Sequence, residues 1–289
     1  MDSTDSVKTV ELDIIVDNSI PLPRNKYLTA EYGLSILIYA LGEEETYILF
    51  DTGSTGRVLS ENADVLGIDI RDVDYVVLSH RHYDHTGGLK KLLELRGGNI
   101  PVLAHPDLFE PALAILPRLR SIGFPETREQ VMTLGCNLIP VRSSVSITPG
   151  IVLTGEIPRL WGPTSTSRLY GIADGKIVGD DVVDELALII NVDGKGLIIV
   201  IGCCHAGLEN IVNYSKEITK AEGIYGIVGG LHLLYSSRDR INDVISFIFT
   251  QNVKAVMPLH CTGIVAEARF QEEIPNVYHV GGVGAKLRV

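Results

Sequence analysis

Residues 79–88 have the composition and spacing of a metal-binding segment. This segment, SHRHYDHTGG, contains three of the chain's eight histidines and one aspartate within six positions. Side chains two residues apart in an extended segment point to the same side, so His80 and His82 can bind one ion. The chain turns after them, which lets Asp84 and His85 bind a second ion nearby. Two ions about 3.5 to 4 Å apart can hold a hydroxide between them.

The types of ligand favour a borderline divalent metal. Neutral imidazoles together with a carboxylate suit zinc, with iron or manganese as alternatives, so we expect one or two such ions as the cofactor. A stable zinc site with an open position for water needs about three protein ligands. The segment offers only two ligands for each ion, so further ligands must come from elsewhere in the chain.

Three more histidines follow apolar strands and are candidates for the site. His205 comes directly after two cysteines, and His260 comes directly before a third. Both have the surroundings of metal ligands. His232 follows two glycines, and we expect it either to contact the substrate or to form hydrogen bonds within the core.

Short β-branched runs alternate with helix-like stretches along the chain, which is typical of an α/β fold. Strands are predicted at residues 10–16, 35–39, 47–50, 75–78, 186–191, 197–201 and 253–257. Helices are predicted near residues 87–95, 107–119, 207–221 and 242–249. The stretch 121–179 is predicted to form loops around a few short strands. No low-complexity linker divides the chain, so we expect a single domain over residues 1–289.

The sequence contains an internal repeat. Residues 33–51 align without a gap with residues 185–203, at an offset of 152, and both segments have the pattern of a strand, a polar turn and a second strand. The same offset matches Asp51 with Cys203, and His80 with His232. The repeat predicts two similar α/β halves that face each other and bring polar residues from their strand ends to a shared edge. A chance match of two β-hairpins is the alternative.

Composition excludes several classes of protein. With 45% hydrophobic residues the chain has enough apolar surface to fold, and its net charge of -11 argues against a nucleic-acid partner. The apolar runs are shorter than the roughly 20 residues that cross a membrane, so no membrane partner is expected. The acidic, polar N-terminus lacks the pattern of a secretory signal, and we expect a cytoplasmic protein.

The motifs resemble those of the metallo-β-lactamase superfamily, whose signature is H-x-H-x-D-H after a buried strand, preceded by an Asp-containing strand end such as FDTG at residues 50–53. The resemblance implies a four-layer αββα sandwich with the site at the mouth between two β-sheets. It also implies that Asp51 supports the metal ligands rather than binding the metal itself.

Four further segments resemble one branch of that superfamily, the metal-dependent hydrolases of β-lactamase superfamily II. They lie at residues 184–188, 201–207, 229–233 and 258–263. Some archaeal members of this branch are described as 7,8-dihydropterin-6-methyl-4-(β-D-ribofuranosyl)-aminobenzene-5'-phosphate synthases.

Two ligands that are usual in the superfamily are missing from this chain. Thr-Pro-Gly at residues 148–150 is followed by Ile151 instead of a histidine, and Cys203 stands at the position matched with the usual bridging aspartate. His205, two residues further on, is the expected replacement. Cys203 and Glu156 remain alternatives as ligands. Without an acidic bridge, the second ion should dissociate more readily.

The resemblance to the superfamily also indicates which residues outside the motif complete each metal site. We expect His205 to complete the coordination of the ion held by the first two histidines of the motif. His260 occupies the late histidine position of the superfamily, and we expect it to serve the ion held by Asp84 and His85.

The function expected first is hydrolysis of a small ester, phosphorylated or similar electrophilic substrate by a metal-bound hydroxide. We expect Asp84, His232 and Asp51 to take part in catalysis. Arg159 and Arg168, in the loop-rich stretch, are candidates for binding an anionic group of a small-molecule substrate.

Two alternatives remain open. The chain could be a transferase similar to the synthases named above, which would join an aminobenzene ribotide to a pterin through a carbon-nitrogen bond in methanopterin-type biosynthesis. It could also be a non-catalytic, metal-bound sensor or ligand-binding protein. The sequence predicts no oligomeric state.

Overall fold

Strands and helices alternate along the chain in this computed structural model, which describes residues 5–21, 27–221 and 223–289. The strands are β1 (Thr9–Val16), β2 (Ser35–Leu41), β3 (Glu45–Phe50), β4 (Tyr75–Val77), β5 (Ile100–Ala104), β6 (Leu113–Ala114), β7 (Arg120–Ser121), β8 (Cys136–Pro140), β9 (Val145–Thr148), β10 (Ile151–Leu153), β11 (Leu169–Ala173), β12 (Lys176–Gly179), β13 (Ala187–Val192), β14 (Gly196–Ile201), β15 (Ile224–Gly230), β16 (Ala255–Leu259) and β17 (Lys286–Arg288). The α-helices are α1 (Gly56–Leu66), α2 (Tyr83–Thr86), α3 (Leu89–Arg96), α4 (Arg128–Thr133), α5 (Leu208–Thr219), α6 (Arg238–Thr250) and α7 (Ile264–Glu273). Within that part of the chain, no helix is long and apolar enough to span a membrane.

Two large sheets form the centre of the molecule. One sheet has the strand order β17-β1-β2-β3-β4-β5-β8, and the other has the order β16-β15-β14-β13-β10-β9. A smaller sheet with the order β12-β11-β6-β7 comes from residues 113–179. The stretch 121–179 therefore contains short strands, as predicted, together with the short helix α4.

Side chains alternate between the two faces of each large sheet. One face packs against the other sheet, and the opposite face packs against helices. Ile36 and Ile38 of β2 lie in the same buried cluster as Ile198 and Val200 of β14. Their neighbours on the opposite faces pack against helices: Leu37 lies with residues of α1 and α3. In the same way, the outer face of the second sheet packs against α5, α6 and α7. The layers are helix, sheet, sheet and helix, so the predicted αββα sandwich is confirmed.

The two halves of the chain follow the same order of elements. Each has an antiparallel hairpin, a helix, a parallel strand, a second helix and another parallel strand. Helices α1 and α5 begin 152 residues apart, at Gly56 and Leu208. The hairpins differ in register, because Ile36 pairs with Phe50 whereas Leu188 pairs with Val200. The predicted repeat is therefore present in the order of elements, with a two-residue shift in pairing.

The helix predicted at residues 107–119 is wrong. The structure has a short 3-10 helix at Pro106–Phe109, followed by strand β6. Pro111 and Pro117 interrupt this segment, because a proline in a helix interior removes a backbone hydrogen bond and clashes with the preceding turn. In the structure Leu108 is buried, whereas Leu116 and Leu119 are more than half exposed.

Truncation of Ile190, which is fully buried between the two large sheets, tests the layer arrangement. We expect Ile190→Ala to lower the free energy of unfolding by about 2 to 5 kcal/mol, because it leaves a cavity in a closely packed core. The matched control is Ile177→Ala on β12, where the side chain is 48% exposed and the expected change is within about 0.5 kcal/mol. Urea unfolding of both variants measures the difference, and equal losses would contradict the assignment of the core.

Candidate metal centre

The polar residues of the predicted site follow the carboxyl ends of strands in both large sheets. In the first sheet β3 and β4 are parallel, and in the second β14, β15 and β16 are parallel, so their ends meet at one edge of each sheet. The edges touch at Gly202, where a Cβ would collide with Ser79 Oγ and lie 3.2 Å from Asp51 Oδ2. The residues brought to this place are Asp51, His80, His82, Asp84, His85, Cys203, His205, His232 and His260.

A first cluster consists of the three imidazoles that were predicted to share one ion. His80 Nε2 and His82 Nδ1 lie 2.9 Å apart. The ring centroid of His205 lies 5.0 Å from that of His80 and 5.1 Å from that of His82. Among the described residues, no group hydrogen-bonds to the buried Nε2 atoms of His82 and His205. Buried nitrogens without a partner fit a site for a metal ion.

A second cluster contains the carboxylate and the two imidazoles predicted for the other ion. The ring centroids of His85 and His260 lie 4.9 Å apart. Asp84 Oδ2 lies 3.3 Å from His260 Nε2 and 3.9 Å from His85 Nε2. Within residues 5–21, 27–221 and 223–289, the Nε2 atom of His85 has no hydrogen-bond partner. The donor set of carboxylate and imidazole also suits a divalent ion.

Burial and neighbouring charges give the two clusters different electrostatic characters. Burial lowers the pKa of His82 to about 3 and lowers the pKa values of His80 and His205 well below their ordinary range. These rings are neutral at pH 7 and retain lone pairs for a metal. Burial also opposes protonation of His260, but the carboxylate of Asp84 outweighs it and raises the pKa of His260 to about 9. The second cluster thus attracts positive charge, and a bound metal ion would take the place of that proton.

Cys203 lies between the two clusters. Its Sγ atom lies within 4.8 Å of ligand atoms of His80 and His205, and also of ligand atoms of His85 and His260. The side chain is buried. Its position is compatible with the alternative, left open by the sequence, that Cys203 is a metal ligand.

The buried carboxylate of Asp51 holds the first ligand loop. It accepts hydrogen bonds from the Ser79 backbone N–H at 2.7 Å and from Ser79 Oγ at 2.8 Å. Its Oδ2 atom lies 2.6 Å from Nδ1 of His85. When Nδ1 of His85 carries the ring proton and donates it to this carboxylate, Nε2 of His85 keeps its lone pair. That lone pair is then free to bind a metal ion in the cluster. This contact supports the role expected for Asp51.

Two adjacent carboxylates that the sequence analysis did not assign to the site hold two further ligand loops. Asp184 accepts the backbone N–H of Arg81 at 2.8 Å and forms an ion pair with its guanidinium. Glu185 accepts the backbone N–H groups of His205 at 2.7 Å and Ala206 at 2.6 Å. Burial raises the pKa of Glu185 to about 7 despite these two hydrogen bonds. The signal in the sequence was an acidic pair directly before an apolar strand.

The last ligand loop is held from the end of β1. Asp17 accepts the backbone N–H of His260 at 2.7 Å, and the ring Nδ1 of His260 lies 2.9 Å from Asn18 Oδ1. The sequence analysis missed both residues, because nothing in their local pattern indicates contact with a segment more than 240 positions away. Their contact depends on how β1 lies in the first sheet relative to the end of β16 in the second.

Four non-glycine residues in the segments that follow the strand ends have a left-handed backbone conformation. These residues are Asp51 (φ 59°), Cys204 (φ 64°), His232 (φ 49°) and His260 (φ 49°). This conformation costs free energy for residues with a side chain and is concentrated at functional sites, where the surrounding contacts maintain it. Here the strand ends turn sharply so that polar side chains face the centre.

A pocket of about 410 Å³ opens beside the clusters. Its lining includes His232, whose ring centroid lies 4.5 Å from that of His205. In the part of the chain that the structure describes, Nδ1 of His232 is buried and has no hydrogen-bond partner. The ring of His232 therefore lies beside both the first cluster and the pocket.

Arg168 also lines the pocket, whereas Arg159 does not. Arg159 donates hydrogen bonds to the backbone carbonyls of Asp181 and Val182, so its guanidinium is engaged in the protein. Arg168 forms no ion pair among the described residues, and its exposed side chain lies beside the pocket. Of the two arginines predicted to bind an anionic group, the structure places only Arg168 beside the centre.

Glu156, the other alternative ligand, lies in a separate group of charges. It binds His105 Nε2 at 3.0 Å and Arg142 at 2.6 Å, and Arg142 also pairs with Asp107. Glu156 belongs to none of the clusters of possible metal ligands among the described residues. Its position therefore favours His205 over Glu156 as the replacement for the missing histidine.

Comparison with known proteins shows which family the chain resembles in sequence and fold. The family model of the metallo-beta-lactamase superfamily matches residues 28–144. A 7,8-dihydropterin-6-methyl-4-(beta-D-ribofuranosyl)-aminobenzene-5'-phosphate synthase from Methanocaldococcus jannaschii is 34% identical over 269 residues, which cover 90% of this chain and 91% of that protein.

Solved structures are similar over almost the whole chain. The crystal structure of Tm1679, a metal-dependent hydrolase of the beta-lactamase superfamily, matches with a TM-score of 0.81 and 28% identity, covering 97% of this chain and 99% of that one. A diphosphatase from the PhnP family matches with a TM-score of 0.55 and 13% identity, with 98% of both chains covered. The second likeness concerns the fold alone.

Replacement of Asp51 by asparagine tests its role in orienting a ligand. In Asp51→Asn the amide NH2 group can face His85 Nδ1, which favours the tautomer with its proton on Nε2 and blocks the metal-binding lone pair. We expect the affinity for the ion at the second cluster to fall about 10- to 100-fold. Titration against a metal chelator measures this affinity.

The matched control is Asp69→Asn, because the Asp69 carboxylate binds Arg71 at the surface. We expect the control to bind both ions as the unaltered protein does. Equal affinities in Asp51→Asn and the unaltered protein would show that Asp51 does not set the tautomer of His85.

Proposed function

The chain belongs to the metallo-beta-lactamase superfamily, and from this membership we propose that it is a metal-dependent hydrolase of a small ester, phosphorylated or similar electrophilic substrate. The observation that carries the proposal is the pair of ligand clusters beside a pocket. Each cluster contains a buried ring nitrogen to which no described group donates or accepts a hydrogen bond. The fold and the synthase-named relative support an enzyme more generally.

Two divalent ions would be bound by residues from both halves of the chain. His80, His82 and His205 would hold one ion, and Asp84, His85 and His260 would hold the other. Zinc is the metal we propose, since imidazole and carboxylate ligands at a site with an open position suit it. When bound, such ions lower the pKa of water and polarise the bond under attack.

The chain's own residues keep this centre in place and contact the substrate. Asp51 orients His85, and Glu185 holds the loop of His205. His232 lies on the pocket side of His205, where its Nδ1 atom can form a hydrogen bond with the reacting group or the leaving group of a bound substrate. We propose this contact as the catalytic contribution of His232.

The lining of the pocket favours a substrate with an anionic group. Arg168 contributes a guanidinium, and hydroxyl groups come from Thr164, Ser165 and Ser167. The other lining arginine, Arg240, is neutralised by a two-point contact with Glu209. A phosphate group accepts hydrogen bonds from guanidinium and hydroxyl groups together, so a phosphorylated substrate fits this lining.

Formation of a carbon-nitrogen bond is the second candidate reaction. The relative from Methanocaldococcus jannaschii favours it, because that protein is named a synthase and the compound in its name carries a 5'-phosphate. The pocket also has two tyrosines in its lining, Tyr32 and Tyr235, which can stack on an aromatic ring. In that reaction the ions would polarise a leaving group, and Arg168 would bind the phosphate as it does in the first proposal.

Loss of a motif histidine tests the requirement for metal. We expect the unaltered protein to bind about two zinc ions and to hydrolyse members of a panel of phosphoesters and carboxylic esters. His80→Ala and His82→Ala should each bind about one ion fewer and lose most of this activity, because each removes a ligand from the first cluster. Metal content by atomic emission and turnover of the panel measure both effects.

The control for this test is His279→Ala, since His279 is exposed and lies in neither cluster. It should retain the metal and the activity. Unchanged metal content in both His80→Ala and His82→Ala would overturn the two-ion arrangement. A metal-loaded protein that hydrolyses nothing in the panel but joins a ribosylaminobenzene phosphate to a pterin would favour the second reaction.

Truncation of Arg168 tests the nature of the substrate. Arg168→Ala should raise the KM for phosphorylated substrates about tenfold or more, the equivalent of one charge-assisted hydrogen bond, while metal content stays unchanged. Arg57→Ala is the control, because Arg57 pairs with Glu61 on α1 outside the pocket. An equal KM for phosphorylated substrates in Arg168→Ala and the unaltered protein would contradict a phosphate-binding role.

A further inference from the structure

Cys203 is a member of every group of possible metal ligands found among the described residues. One group joins it with His80 and His205, and another joins it with His85 and His260. No carboxylate among the described residues is a member of either group. The ligand atom that the two groups share is therefore a sulfur.

The repeat in the chain gives Cys203 a position that corresponds to that of Asp51. Asp51 directly follows β3 in the first half, and Cys203 lies two residues after the end of β14 in the second. Asp51 is a member of neither group and holds Ser79 and His85 by hydrogen bonds. Cys203 Sγ contacts Cys261, the residue after His260, and it lies within 4.8 Å of ligand atoms in both groups.

The sulfur of Cys203 lies beside a second buried sulfur. Its hydrogen-bond contact is with Cys261 Sγ at 3.3 Å, and Cys261 Sγ also receives the backbone N–H of His232 at 3.3 Å. A Cβ at Gly230 would lie 2.6 Å from Cys261 Sγ, so the glycine makes room for the sulfur pair. Cys204, by contrast, lies among apolar side chains beneath the second sheet.

We propose that the sulfur of Cys203 bridges the two metal ions as a thiolate, in place of a bridging carboxylate, an inference that rests on the metal-dependent function proposed above. On coordination the Cys203 thiol loses its proton to solvent and forms one bond to each ion. The thiolate brings a full negative charge between two cations and so holds the second ion, which imidazoles alone would bind less tightly. The neighbouring Cys261 then hydrogen-bonds to the bridging sulfur.

A sulfur bridge has a consequence for the identity of the metal. Thiolate is a soft ligand that favours zinc, iron or cobalt over magnesium and manganese, which prefer oxygen ligands. The protein should therefore retain zinc in the presence of a large excess of magnesium or manganese. A carboxylate bridge at the same place would discriminate less between zinc and these two metals.

Cobalt substitution and X-ray absorption test the bridge directly. The unaltered protein, loaded with Co²⁺, should show an intense sulfur-to-cobalt charge-transfer band in the near ultraviolet, and its zinc form should show sulfur at about 2.3 Å from the metal. Cys203→Ser should lose both signals, and its more weakly held ion should dissociate at least about tenfold more readily. The matched controls Cys204→Ala and Cys261→Ala should keep both signals.

The outcomes separate this inference from the proposed function. Zinc bound by the unaltered protein with nitrogen and oxygen ligands only would overturn the sulfur bridge and leave the metal-dependent function standing. Failure to bind zinc or cobalt at all would overturn both. A sulfur signal that survives Cys203→Ser but disappears in Cys261→Ala would assign the ligand to Cys261 and contradict the proposal. The measurement on the unaltered protein decides the question even if Cys203→Ser does not fold.

Discussion

The geometry of the centre depends on buried carboxylates that accept backbone N–H groups from the ligand-bearing loops. Asp51 accepts from Ser79 beside His80, and Asp184 accepts from Arg81 between the first two motif histidines. The other half of the site is held in the same way. Glu185 accepts the backbone N–H of His205, and Asp17 accepts the backbone N–H of His260. A buried carboxylate without such partners costs several kcal/mol, so these contacts strongly favour one arrangement of each loop.

These carboxylates also join the two halves of the chain. Asp184 and Glu185 are neighbours at the start of β13, yet Asp184 holds a loop of the first half and Glu185 holds a loop of the second. Asp17 follows β1 and reaches the loop after β16 in the opposite sheet. The ligands therefore take their positions only when the two sheets face each other, and the fold and the centre form together.

Local pattern in the sequence predicted much of this structure, and the parts it missed depend on long-range contact. The spacing from His80 to His85 predicted two groups of ligands, because side chains in an extended segment and in the following turn point in fixed directions. The offset of 152 predicted the matching order of elements in the two halves.

Asp17 and Asn18 gave no signal in the sequence, since their partner His260 is close only after the sheets pack. The helix predicted at residues 107–119 from apolar spacing does not form, because Pro111 and Pro117 interrupt the segment. The sequence favoured His205 as the replacement ligand and left Cys203 and Glu156 as alternatives. Packing separates the alternatives, because Cys203 lies beside the ligand histidines and Glu156 does not.

The central claim is that residues from both halves bind two metal ions at the shared edge of the sheets. A crystal structure of the zinc-loaded protein, with anomalous diffraction recorded on both sides of the zinc absorption edge, tests it most directly. We expect two zinc peaks about 3.5 to 4 Å apart, one beside His80, His82 and His205 and the other beside Asp84, His85 and His260. No zinc peak at this edge, or a single peak without contact to His205 or His260, would contradict it.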